Sequence, residues 1–77
     1  MTTFEIYVSC NDEEYTTSVQ VKGEKIEVLE PEKNEWAGWN VYPVLVDGFK
    51  MVFDEHVVAI EAYDKNGFSL GEVYRKK

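Results

Sequence analysis

The sequence is poor in the devices that usually stiffen a small domain. It holds one cysteine, Cys10, and one histidine, His56, in 77 residues. A lone cysteine excludes an intramolecular disulfide, and one His with one Cys falls short of the four ligands of a structural zinc site. Proline is limited to Pro31 and Pro43, and no apolar run approaches the roughly 18 residues that cross a bilayer as a helix. The opening "MTTFEIYVSC" carries no basic leader followed by an apolar stretch. A soluble, cytoplasmic chain is expected, with its thiol free in a reducing compartment. No Gly-rich stretch precedes a helix, so nucleotide binding has no motif. "NDEEYTTSVQ" lacks the spaced oxygen ligands and central glycine of a calcium loop. No cofactor and no metal are expected.

Hydrophobic residues make up 44% of the chain and aromatic residues 14%, the composition of one globular domain over residues 1–77. A domain this small buries only about 60% of the surface its unfolded chain exposes. With no internal staple, pairing as a homodimer is the remaining way to add buried area.

Basic residues are scarce as well: eight stand against fifteen acidic ones, for a net charge of −7. The deficit is uneven. Residues 1–35 hold nine acids against three lysines, and residues 36–77 hold six acids against five bases. Three of those five bases are Arg75, Lys76 and Lys77, so the chain up to Tyr74 carries −10. Such a field repels phosphates, and binding would release no counterions from nucleic acid. Direct nucleic-acid binding is disfavoured and a basic protein partner is favoured.

The hydrophobic pattern reads as short strands. "FEIYVSC" sets Phe4, Ile6, Val8 and Cys10 on one face against Glu5, Tyr7 and Ser9 on the other. "YTTSVQV" does the same with Tyr15, Thr17, Val19 and Val21. "KGEK" offers Gly23 for a tight turn with positive φ, and "KIEVLE" gives a third strand with Ile26 and Val28 inward, so the first three strands read as a meander. Pro31 ends that ladder. In "VYPVLVDGFKMVF" the Asp47-Gly48 turn pairs Val46 with Phe49, Val44 with Met51 and Tyr42 with Phe53, all on one face. Pro43 then falls on the other face and points to a sheet edge or a bulge, and the terminal strands are the other expected edges. "VVAIEAYDKNGFSLGEVY" reads as a second hairpin: Asp64 begins the turn, Gly67 is left-handed, Val58, Ile60 and Ala62 line one strand, and a bulge at Gly71 brings Val73 to the core. The expected fold is all-β, a small antiparallel sheet forming a sandwich or partly open barrel. A short helix over 54–63, giving α+β, is the alternative.

Candidate chemistry is thin. His56 follows Asp54 and Glu55, and a carboxylate beside an imidazole can orient a general base. No serine or cysteine nucleophile pairs with it, because Cys10 lies on the core side of its strand with Asp12, Glu13 and Glu14 close by, the reverse of an activating setting. Carboxylate pairs follow from an acidic composition, and a hydrolase built on them with His56 is set aside. The chain is read as non-enzymatic.

The stretch "EVLEPEKNEWAGWN" concentrates glutamates beside two tryptophans. Either tryptophan could fold back over the open end of the sheet, and at least one is expected to do so. Otherwise Trp36 and Trp39 form an amphipathic platform, with Gly38 between them letting the loop bend. The expected partner-binding residues are Glu13, Glu14, Glu24, Glu27, Glu30, Glu32, Glu35, Trp36 and Trp39. In being short, strongly acidic and single-domain, the chain resembles phage-encoded DNA-mimic proteins that block host nucleic-acid-binding proteins, including nucleoid proteins of the HU class. The resemblance lies in size and charge alone. It implies an inhibitor that acts as a compact dimer and occupies a basic surface in the host cytoplasm. The alternative is an interaction or assembly module using the Trp36/Trp39 platform or strand addition at an exposed edge.

Overall fold

Eight strands carry the chain in the computed structural model: β1 (Thr2–Ser9), β2 (Thr16–Gly23), β3 (Ile26–Val28), β4 (Glu32–Lys33), β5 (Asn40–Val46), β6 (Phe49–Phe53), β7 (His56–Tyr63) and β8 (Ser69–Arg75). The structure describes residues 1–9, 16–36 and 38–76, with Thr16 described by its backbone alone. Cys10, Glu13, Glu14 and Tyr15 lie outside the described residues. No helix occurs among those described, and residues 56–63 are strand. The first sheet runs β2-β1-β7-β8, and the second is centred on β5, with β3 and β4 along one side and β6 along the other. All pairings are antiparallel and neither sheet closes into a barrel.

Alternation in β1 buries Phe4, Ile6 and Val8 and turns Glu5, Tyr7 and Ser9 outward. From the second sheet, Val44 and Val46 meet them together with Val57, Ile60 and Ala62 of β7. Ile6, Ile60 and Val44 lose all contact with water, and each such burial is worth about 1.5–3 kcal/mol. The β5–β6 register is the expected one, and the two turn residues, Asp47 (φ 52°) and Gly48 (φ 84°), both sit left-handed as a type I′ turn requires. The β7–β8 turn also forms as expected. Asp64 Oδ1 accepts the Asn66 and Phe68 N–H groups at 2.8 and 3.0 Å, and Gly67 sits at φ 87°.

Four expectations fail, each for a local reason. The first three strands are no meander, because β2 pairs with β1 whereas β3 belongs to the second sheet. Gly23 is needed there for space and not for positive φ: a Cβ on it would lie 2.7 Å from Val46 Cγ1 and 2.9 Å from Asp47 Oδ2. Asp47 holds this crossover, its Oδ1 accepting the N–H groups of Glu24 and Lys25 at 2.8 Å each while its own N–H donates to Lys25 O at 3.0 Å. Those backbone donors, Lys25 first, hold the Asp47 carboxyl below its ordinary pKa.

Second, Pro43 is buried in the central strand, not at an edge. Its carbonyl accepts the Leu29 N–H at 3.0 Å. The reciprocal bond is the one a proline cannot make, and it falls where β3 gives way, so the missing donor breaks no ladder. Third, the N-terminal strand β1 is interior to its sheet, and β2 and β8 are the edges.

Fourth, β7 and β8 are bulged differently from the expectation. The β1–β7 register shifts between Tyr7 and Val8, so Val57 faces Val8, Ala59 faces Tyr7, and Val58 is the extra residue outside the core face. In β8 the pairing skips Val73 and Leu70 on either side of Gly71 (φ 101°). Tyr74, opposite Ile60, takes the core-facing place, while Val73, Leu70 and Phe68 stay exposed.

Candidate functional site

The segment from Glu24 to Trp36 forms one continuous border of the second sheet. β3 lies beside Val44–Val46 and β4 beside Asn40–Val41, both on the same side of β5, with Leu29 to Pro31 arching between them. By strand geometry, Glu27, opposite Leu45, stands about 13 Å from Glu32, opposite Val41. Glu24, Glu27, Glu30 and Glu35 are exposed, and among the described residues no cation pairs with them. Glu32 differs, its carboxylate being gripped by Lys50 Nζ at 2.7 and 2.9 Å. Lys50 sits opposite Leu45 and Glu32 opposite Val41, so this pair passes over Pro43. Both partners are about half exposed, which limits the bond to about 0–1 kcal/mol. Lys25 and Lys33 interrupt the same border, leaving five glutamates against two lysines.

The border ends in the β4–β5 hairpin. Asn34 N–H donates to Trp39 O at 2.8 Å, Gly38 N–H donates to Asn34 O at 2.9 Å, and Trp36 N–H donates to Asn34 Oδ1 at 3.0 Å, with Gly38 left-handed at φ 77°. Trp36 at the tip is 99% exposed and Trp39 55% exposed, so neither enters the core. Trp39 is the one that turns back toward the body of the domain, where it lines a cleft of about 540 Å³.

Three distant segments build that cleft. Ser9 comes from the end of β1, Trp39 from just before β5, Asn40 and Tyr42 from its start, and Asp54, Glu55 and His56 from the turn into β7. Tyr42 and His56 stack at 4.4 Å between centroids, tilted by 39°, and Tyr42 Oη lies 3.1 Å from His56 Nε2. Lys76 Nζ lies 2.9 Å from Nδ1. An ammonium can only donate, so Nδ1 accepts, and the Nε2 proton goes to Tyr42 Oη. With both ring nitrogens engaged, the imidazole links Tyr42 of β5 to Lys76, which follows β8. Among the described residues Glu55 presents one anomaly: its Oε2 is shut off from solvent with no hydrogen-bond partner there. A buried acceptor left so costs about 1–3 kcal/mol, more when charged.

The outer face of the first sheet treats its carboxylates otherwise. Glu5 and Glu61 stand directly opposite one another, an arrangement that like charges disfavour. The Tyr7 hydroxyl donates to Glu5, Gln20 Nε2 donates to Glu5 at 3.0 Å, and the Tyr63 hydroxyl donates to Glu61 at 2.5 Å. Tyr7, then Gln20, lowers the Glu5 pKa, whereas the bonds to Glu5 and Glu61 raise those of Tyr7 and Tyr63 above 10.0. The repeated spacing in "EIY" and "EAY" is the sequence trace of this network.

Among the described residues, no three of His, Cys, Asp and Glu converge as metal ligands, and no helix is long and apolar enough to cross a membrane. No family model, curated protein or solved structure matches the chain.

Proposed function

We propose that this domain is a binding protein that docks its β3–β4 border and hairpin tip on a basic protein surface, of the kind that otherwise holds nucleic acid. The observation that supports the reading is the border itself. Exposed, unpaired Glu27, Glu30 and Glu35 run into the bare indole of Trp36. The acidic surface and the aromatic platform are therefore one continuous patch. Carboxylates in such a row raise the local concentration of a cationic partner and speed encounter, while an exposed tryptophan supplies area that becomes dry on contact.

The test is displacement of a fluorescent DNA duplex from an HU-class nucleoid protein, read by anisotropy as this domain is added at rising salt. Displacement at low salt is expected. It should weaken about tenfold or more when Glu27, Glu30 and Glu35 are all changed to Gln, with the gap closing as the screening length shrinks from about 10 Å at 0.1 M salt to about 3 Å at 1 M. A domain that leaves the duplex bound at low salt, or a triple variant as active as the parent, would remove the reading.

A further inference from the structure

We propose that the cleft beside Trp39 is a receptor for one arginine side chain, whose guanidinium lies against the indole and is held by the carboxylates of Asp54 and Glu55. The inference rests on the proposed function in one respect, namely that a basic partner brings the arginine. Three independent features converge on this occupant. First, the cleft is walled by aromatic rings: the half-exposed indole of Trp39 on one side and the Tyr42–His56 stack on another. A planar cation stacks on such faces.

Second, the acids on its wall among the described residues, Asp54 and Glu55, form no ion pair there. Lys76 is taken up by His56 Nδ1 and lines the neighbouring groove between Val28 and Tyr74 instead. Third, Glu55 Oε2 is withdrawn from water, and among the described residues nothing donates to it. Buried polar atoms are rarely left so. A guanidinium offers five N–H donors in a fixed fork, which suits two adjacent carboxylates better than a single ammonium does. Arginine is thereby favoured over lysine. The cleft sits where the acidic border ends, so an arginine inserted here would be followed by further basic residues along Glu35, Glu30 and Glu27.

The test needs no partner. The Trp39 indole N–H resonance is followed by NMR during titration with N-acetyl-arginine amide, with the wholly exposed Trp36 indole as internal reference and N-acetyl-citrulline amide as the uncharged isostere. A saturable shift of Trp39 alone is expected, with a Kd on the order of millimolar for so small a probe, and no saturation by citrulline. Asp54→Asn and Glu55→Gln should each weaken binding about fivefold or more. Asp54 is exposed, so its variant guards against a fold lost through Glu55. The proposal falls if Trp39 does not shift, if Trp36 shifts in parallel, if citrulline binds equally, or if a folded Asp54→Asn binds as the parent does. Failure of the DNA displacement with a positive titration would leave the arginine site and remove the border reading. The reverse pair of results would do the opposite.

Discussion

Glutamates on the outer face of the first sheet and glutamates on the border of the second are the same residue put to different uses. Glu5 and Glu61 face one another, yet each is answered by a tyrosine two residues along its own strand, and Glu72 is held by Arg75 at 2.5 and 2.8 Å. Among the described residues, Glu27, Glu30 and Glu35 have no such donors. A carboxylate whose hydrogen bonds are met within the fold contributes to structure and offers little to a partner. One left to water costs the fold little and can exchange its water for a partner's cation. Net charge cannot make this distinction, because both sets count equally toward −7.

The two regions are joined at Gly23, and the largest expected effect breaks that joint. In Gly23→Ala the new methyl would meet Val46 Cγ1 at 2.7 Å. Val46 is buried and β-branched, its χ1 restricted, so it has little room to swing aside. Overpacking of this kind costs about 1–3 kcal/mol, to be read as a lower urea midpoint. An unchanged midpoint would show that the crossover is looser than its contacts imply. Next comes the border itself. Replacing Glu27, Glu30 and Glu35 together by Gln should leave stability within about 0.5 kcal/mol, as for surface substitutions generally, while binding to a basic protein drops about tenfold. A comparable loss of stability would mean that the border is structural after all.

Asp47 sharpens the contrast through pH. It belongs to the satisfied group, and the N–H groups of Lys25 and Glu24 hold its folded pKa below the ordinary 3.8. A depressed carboxyl stabilises the fold above its unfolded pKa and loses that contribution as the pH falls through the folded value. Asp47→Asn keeps an acceptor oxygen but carries no charge. The parent should therefore be more stable than this variant at about pH 6, with the advantage shrinking toward about pH 2 in paired urea titrations. A constant difference across that range would assign the effect to shape and not to charge.

How far these features were legible in the sequence follows from how local their causes are. Asp47-Gly48 and Asp64 with Gly67 set their turns by their own backbone preferences, and the hairpin registers followed. Gly23 looked like a turn glycine because a glycine required for space and one required for φ are identical in sequence. Pro43 looked like an edge residue because its missing donor matters only if a neighbour needs it, and the neighbouring strand stops there. Val57 and Val58 are equally apolar, so alternation alone could not reveal which of them the bulge would turn to the core. The acidic border was visible as composition. The cleft was not, since Ser9, Trp39 and Glu55 meet only after the two sheets pack, and the buried oxygen of Glu55 is a property of that packing.

The smallest expected effect tests whether the first-sheet network is as closed as its hydrogen bonds indicate. Tyr7 donates to Glu5 and Tyr63 to Glu61, and each bond favours the neutral phenol, raising both pKa values above 10.0. A raised pKa stabilises the fold fully below the unfolded value, and that stabilisation is lost as the pH climbs through the folded one. In an alkaline titration followed by tyrosinate absorbance, two tyrosines of the folded protein should therefore ionise later than they do in urea. Glu5→Gln removes the charged acceptor from Tyr7 and should return one of the two toward its ordinary value, while the border variants leave both in place. Superimposable titrations of folded and unfolded chains would mean that Glu5 and Glu61 are no better satisfied than Glu27, and that a second acidic surface is open to a partner.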